Sequence, residues 1–231
     1  MASQPNPQTV SVGYNITPPF WMYLYALTAS LLIFLPINKL YLHQKYKYHL
    51  NKSFFITDNY KYFKSKFRDT INNFVSNGKL IKDSRNTIKS FNIDNLKLNI
   101  KRFKKPNFFN KIIYTFFRST KAQRSFDYAK KLIELGIATP KPIFYYNKFK
   151  SGLIYQSFYC SENIDYDYDM EYVFENKQLI NRDQLLKEFT FFTHNLHENG
   201  IMFLDHSRSN TLIKKNNNGH TFYLIDLNRM R

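Results

Sequence analysis

The chain reads as an α+β fold: a helix leads into an antiparallel sheet, and a smaller, mostly helical part follows. Three observations carry that reading. Apolar residues recur at threes and fours before position 78, alternate from position 80, and return to helical spacing in two later stretches. Gly, Pro and Asn fall where the period changes. With 231 residues, 43% hydrophobic and 22% charged, the chain can bury a real core and is not wholly disordered.

The elements follow in order. Residues 1–19 form an uncharged tail. Residues 20–37, FWMYLYALTASLLIFLPI, are uncharged and long enough for a short membrane-spanning helix. Trp21, Tyr23 and Tyr25 suit an interfacial belt at one end, and Lys39, Lys45 and Lys47 follow the other. The positive-inside rule then places residues 39 onward in the cytoplasm. A buried core helix is the plainer alternative. Tyr62, Phe63, Phe67, Ile71 and Phe74 predict a helix over 58–75, ended by Gly78. KLIKD, NTIKSFNID and LKLNIKRF read as three strands, with Asp94-Asn95 as a hairpin turn. In the third, Leu96, Leu98 and Ile100 share one face, and Lys97, Asn99 and Lys101 the other.

A helix capped within 119–123 comes next, with Phe126, Ala129, Leu132 and Ile133 as its stripe and Gly136 beyond its end. KPIFYYN and GLIYQSFYC are a second strand pair. The polar run at 161–172 reads as a loop. Leu185, Phe189, Phe192 and Leu196 define a helix over 181–199, with Asn181 and Gln184 resembling a capping box. MFLDHSRSNTLI and TFYLIDLN close the chain. The expected division is a lobe at 39–160, with its leading helix, and a partial lobe at 161–231.

Charge is concentrated. Lys and Arg number 34 against 17 Asp and Glu, a net of +17, and the excess lies between Lys39 and Lys150. Such a field draws nucleic acid, anionic lipid or phosphorylated ligands without choosing among them; with the motifs below, nucleic acid is not the expected partner. The single cysteine, Cys160, excludes an internal disulfide framework and a cysteine-built zinc site. It is expected to be buried on a strand. His194 and His197 lack a metalloprotease frame, and one of them is expected to pack. Asp165, Asp167 and Asp169 alternate like a calcium loop. Met170 at its sixth position and Asn176 at its twelfth rule that out.

Four features line up as chemistry. Lys101 lies on the third strand, and Asp127 on the helix after it. Asp205 and Asn210 form D-x-x-x-x-N after the helix at 181–199, and Asp226 ends an apolar strand. This is the order of a protein-kinase-like phosphotransferase. The lysine contacts nucleotide phosphates and the helix acid holds the lysine. Asp205 accepts the proton of the attacking hydroxyl, and Asn210 with Asp226 offers hard oxygen ligands to Mg²⁺. Glu134 is a weaker rival to Asp127. Taken singly, each residue also fits a solvated surface or a turn.

The stretch GKLIKDSRNTIKSFNIDNLKLNIKRFKKPNFFNKIIYTFFRSTKAQRSFDYAKKLIELGIATPKPI resembles the N-lobe of the bacterial lipopolysaccharide core kinases, the Kdo/heptose kinase family, in its Bacteroidetes-type branch. FLDHSRSNTLI and FYLIDLNRM resemble that branch's catalytic loop and metal-binding strand. The resemblance runs from Tyr41 to Arg231. It implies a protein-kinase-like fold and use of ATP with Mg²⁺. It implies a sugar hydroxyl on the lipopolysaccharide core or a lipid A precursor as acceptor; with the expected span, the chain is expected at the inner membrane with its catalytic part in the cytoplasm. It also implies that Lys101 is the ATP lysine, Asp205 the base, and Asn210 and Asp226 the metal ligands. Ser84-Arg85-Asn86 stands where a glycine-rich loop is usual, and the helix acid is Asp rather than Glu. The chain ends five residues after Asp226, so the C-lobe is expected to be truncated. The alternative is an inactive kinase-like remnant that binds membrane or another polyanion through its basic lobe.

Overall fold

Short apolar strands separated by turn residues pair into a wholly antiparallel six-stranded sheet. The computed structural model describes residues 53–217 and 219–230, which belong to one unit, Tyr46–Arg231. The tail at 1–19 and the span expected at 20–37 lie outside the described residues. Among the described residues, no helix is long and apolar enough to cross a membrane.

The first strand, β1 (Phe54–Ile56), was not foreseen, because three residues are too few to show alternation. Pairing with chain 90 residues away holds it, Phe55 opposite Tyr145. The helix expected over 58–75 begins as a 3-10 turn, Asp58–Phe63, and widens into α1, Lys64–Asn72. Then β2 (Lys79–Asp83), β3 (Thr87–Ile93) and β4 (Leu96–Arg102) form the expected meander. Asp94 turns the β3–β4 hairpin at φ 51°, a left-handed value that a short polar side chain tolerates.

A segment the sequence reading left unassigned follows: α2 (Phe108–Ile112), running into a π turn at Ile113–Phe117. After it come α3 (Lys121–Glu134), β5 (Pro142–Lys150) and β6 (Leu153–Glu162). The sheet order is β1-β5-β6-β4-β3-β2.

The period-2 pattern sorts the sheet's two faces. Leu98 and Ile100 of β4 are fully buried against Phe67, Ile71 and Phe74 at α1, with Phe144, Phe158 and Cys160. Each such Phe or Ile contributes roughly 1.5–3 kcal/mol. Lys89 Nζ donates to three carbonyls past the end of α1, those of Phe74, Val75 and Asn77, each at 2.9 Å. A cation there satisfies carbonyls of the turn that follows the helix and matches the helix dipole. On the opposite face Phe103, Tyr145 and Tyr159 pack on Ala122 and Phe126 of α3. Lys101 is on this second face, under α3. Of the stripe expected on α3, Ile133 is 44% exposed and the rest is buried.

Beyond β6 the polar run is not the loop it was expected to be. It holds β7 (Tyr168–Asp169) and α4 (Met170–Glu175), with Met170 and Val173 fully buried. The alternating acids have structural duties. Asp169 caps α4 by accepting from Tyr172 N at 2.8 Å, and Asp167 accepts from Lys215 N at 2.7 Å. Next are α5 (Arg182–Glu198), β8 (Thr211–Asn216) and β9 (Gly219–Leu224), with β7-β8-β9 forming a second sheet. The capping box at Asn181 does not form. Asn181 sits at φ 61° and makes no side-chain cap bond, while Gln184 donates instead to Glu188 at 3.0 Å. His194 and His197 are both exposed.

Two helix ends meet in one core. After α3, Gly136 N donates to Ile133 O at 3.0 Å and Ile137 N to Leu132 O at 2.8 Å. After α5, Gly200 N donates to His197 O and Ile201 N to Leu196 O, both at 2.9 Å. Both are Schellman closures, with glycine supplying the left-handed residue at φ 72° and 67°. Leu132, Ile137, Leu196 and Ile201 are all buried in one cluster with Phe203, Leu224, Leu227 and Met230. That cluster brackets the two segments carrying the candidate site.

Candidate active site

Lys101 is the last residue but one of β4, opposite Ile88 on one side and Tyr159 on the other. Its neighbours Leu98 and Ile100 fix the strand's facing, so the ammonium must emerge on the α3 side. There it meets Asp226, Nζ to Oδ1 at 2.6 Å, with only 12% of the lysine side chain exposed. Burial lowers the Lys101 pKa from its ordinary value, Asp226 opposes that fall, and the Lys82 and Arg85 charges add to it. Lys121, at the start of α3, is lowered in the same way by burial, with Arg85 and Arg124 contributing. Cations from β2, its turn, β4 and α3 therefore lie close enough to repel one another, with Asp226 the carboxylate that Lys101 and Lys121 share. Such an excess of positive charge suits a polyphosphate.

Asp226 lies two residues past the end of β9 and adopts φ 59°, ψ 46°, a left-handed conformation unusual for a side-chain-bearing residue. Asn228 is buried and donates from Nδ2 to Asp226 Oδ1 at 2.6 Å. Arg124 of α3 donates from Nε to Asn228 O at 3.1 Å. A hydrogen-bonded chain thus runs from α3 through Asn228 to Asp226. Both contacts to Asp226 fall on Oδ1, which leaves Oδ2 for a cation.

Asp205 follows α5 on a short irregular segment. Phe203 bridges to Met230, which brings Asp205 alongside the turn at Leu227–Arg229, and Arg229 Nη1 lies 3.8 Å from Asp205 Oδ1. Asn210 Nδ2 donates to Asp205 O at 2.8 Å, and Ile225 N donates to Asn210 O at 3.0 Å. The two ends of D-x-x-x-x-N and the start of the Asp226 turn are therefore stitched together. The bond from Asn210 uses its amide nitrogen, so its carbonyl oxygen keeps the character of a hard ligand. Next to Asp205, the His206 ring lies between Phe189 and Phe203, at 5.4 and 5.5 Å. Its Nε2 is buried without a hydrogen bond, and burial holds its pKa below the ordinary value.

Four of the five expected residues thus come together: Lys101, Asp205, Asn210 and Asp226. The fifth differs. Asp127 is on the exposed side of α3, and the carboxylate that meets Lys101 is Asp226 instead. The physical reason is helical phase. Lys121, Arg124 and Tyr128 form one column of α3, with Arg124 reaching the turn after Asp226, and Asp127 falls off that column. Lys121, Arg124 and Asn228 were missed because one basic or amide residue among many carries no signal in a strongly basic chain.

Among the described residues no cluster of three or more His, Cys, Asp or Glu could hold a metal ion. Two oxygen donors still fit Mg²⁺, which commonly takes one or two protein ligands plus phosphate oxygens and water. The fold and the order of these groups are those of the protein-kinase-like class. The chain matches the lipopolysaccharide kinase (Kdo/WaaP) family over residues 82–231, and it belongs to that family. Among solved structures, "WaaP in complex with acyl carrier protein" is similar with a TM-score of 0.53 at 16% identity, covering 77% of this chain and 72% of that one. MAP kinase LmaMPK10 from Leishmania major gives a TM-score of 0.40 at 14% identity, covering 71% and 51%. No curated protein matches the chain.

Proposed function

We propose that the chain transfers the γ-phosphoryl group of ATP to a sugar hydroxyl of the lipopolysaccharide inner core or a lipid A precursor. The site would work at the cytoplasmic face of the inner membrane. The single observation that carries the reading is the meeting of Lys101, on the first sheet, with Asp226, just past the end of the second, beside the stitched Asp205–Asn210 segment.

The roles follow from chemistry. Phosphoryl transfer needs positioning and charge stabilisation more than covalent help. Lys101, with Arg85 and Lys121 near it, would neutralise nucleotide phosphates. Asp205 would accept the hydroxyl proton as the acceptor oxygen attacks phosphorus. Asp226 and Asn210 would hold Mg²⁺, which supplies charge neutralisation on the phosphate oxygens when bound. In the free protein the Lys101 ammonium occupies Asp226, so arrival of a phosphate group gives the lysine a second anion and frees the carboxylate for the cation.

Calorimetry with ATP, with and without Mg²⁺, on the full chain tests this, together with phosphate transfer to dephosphorylated core glycolipid. Asp205→Ala keeps nucleotide binding but loses about 10²–10⁴ in rate. Asp226→Ala weakens binding of Mg·ATP as well as transfer. A wild-type chain that binds no nucleotide ends the kinase reading and leaves the polyanion-binding remnant. Equal loss of binding in both variants would overturn the roles.

A further inference from the structure

The segment between β4 and α3 turns its apolar side outward. Phe108, Phe109 and Phe117 are 63%, 75% and 66% exposed, and Ile113 is 41% exposed. Positions 108/109, 112/113 and 116/117 repeat at four, which on a helix ending in a π turn gathers them into one stripe. Ile112, Tyr114 and Phe116 are half-buried. Thr115 is the segment's only fully buried residue, and its Oγ1 accepts from Ile154 N of β6 at 3.0 Å. A helix whose one fully buried residue is a threonine, with three phenylalanines in water, exposes more apolar surface than an ordinary surface helix.

The surroundings are cationic. Lys105, Lys111 and Lys150 gather over the Tyr155 ring at 4.7, 6.0 and 5.9 Å, beside exposed Lys104. No Asp or Glu occurs between Asp94 and Asp127. Exposed phenylalanines rimmed by lysines, without acids, complement one surface: apolar below, anionic at its rim.

We propose that residues 107–118 dock on an anionic lipid bilayer, with Phe108, Phe109 and Phe117 in the headgroup–acyl boundary and the lysines on the headgroups. This rests on the reading that the acceptor is a membrane glycolipid, and it gives that reading a place. The segment links the Lys101 strand to α3, so docking would tether both elements to the membrane surface.

The test needs no nucleotide, so its failure is separable from failure of the kinase reading. Cys160 is fully buried, so an added surface cysteine alone takes an environment-sensitive label. Phe109→Cys and, as control, Phe191→Cys on α5 (77% exposed) are labelled in the full chain. Both are placed on vesicles of phosphatidylethanolamine and phosphatidylglycerol. The label at 109 is expected to shift to the blue and be quenched by brominated acyl chains, and the label at 191 to do neither. Each of Lys104, Lys105 and Lys111 replaced by Gln should reduce the inserted fraction's equilibrium about fivefold. An unshifted label at 109 on vesicle-bound protein overturns the proposal, as does an equal shift at 191. A blue-shifted label before lipid is added also overturns it, since protein then covers the stripe: a second copy if the shift grows with concentration, residues 1–52 if it does not.

Discussion

Replacing Asp226 by Asn removes one charge and almost no volume, which makes it a sharp probe of the site's electrostatics. The Asn228 hydrogen bond can survive, because Asn keeps an oxygen at Oδ1. Lys101 is left cationic, 12% exposed, and facing Lys82 and Arg85. Breaking a fully buried pair costs about 3–5 kcal/mol. Asp226 is 28% exposed, so water offsets part of the loss and roughly 2–3 kcal/mol is expected. Lys101→Met should cost less, about 1–2 kcal/mol, since the remaining carboxylate is the better hydrated partner. The double variant should lie near wild type, because an apolar replacement of a buried pair is often neutral. Four urea titrations at neutral pH then give a coupling of roughly 3–5 kcal/mol, the sum of the two single losses. The sign of the pH dependence follows from burial. The folded-state pKa of Lys101 lies below its ordinary 10.5, so between that value and 10.5 the unfolded chain binds more protons and stability rises with pH. In Asp226→Asn the folded pKa falls further, so the rise begins at lower pH and is larger. Additivity of the two single variants within about 0.5 kcal/mol would refute the ion pair.

Other outcomes follow from particular contacts. Gly78→Ala places a Cβ 2.5 Å from Phe91 Cζ at φ 86°, so a loss of about 2–3 kcal/mol is expected in denaturant titration; a neutral result would mean the turn relaxes freely. His206 is held neutral by burial, so as pH falls below about 6.5 the unfolded chain takes the proton first and stability drops toward the lower folded pKa. His206→Gln should flatten that acid limb, and an unchanged slope would exclude His206 as its source. Arg124→Ala cuts the link from α3 to Asn228, so a higher Mg²⁺ requirement for nucleotide binding is expected. Arg124→Lys, which lacks the guanidinium's several directed donors, should not restore it.

Much of the sheet was legible before any coordinates, because alternation is a local signal and burial of one face enforces it. Leu98 and Ile100 against Lys101 is the clearest case: three neighbouring residues already state which way the lysine faces. The α3 and α5 stripes were legible for the same reason, as was the order of Lys101, Asp205, Asn210 and Asp226. Misreadings fell where local pattern competes with distant partners. β1 exists only through β5, and α4 is held by burial of Met170 and Val173 inside a run of acids. Asn181 was read as a side-chain cap, yet its left-handed backbone makes none.

The assignment of Asp127 marks the boundary most clearly. Sequence order determined that an acid follows Lys101 on the next helix. It could not determine the rotation of that helix against the sheet, which depends on Ala122 and Phe126 packing against Phe103 and Tyr145. That rotation turned Arg124, not Asp127, toward the Asp226 turn. Chain order and face alternation are properties of neighbouring residues, so the sequence carries them alone. The pairing of Lys101 with Asp226 joins residues 125 positions apart, and only the packing of two sheets around α3 decides it.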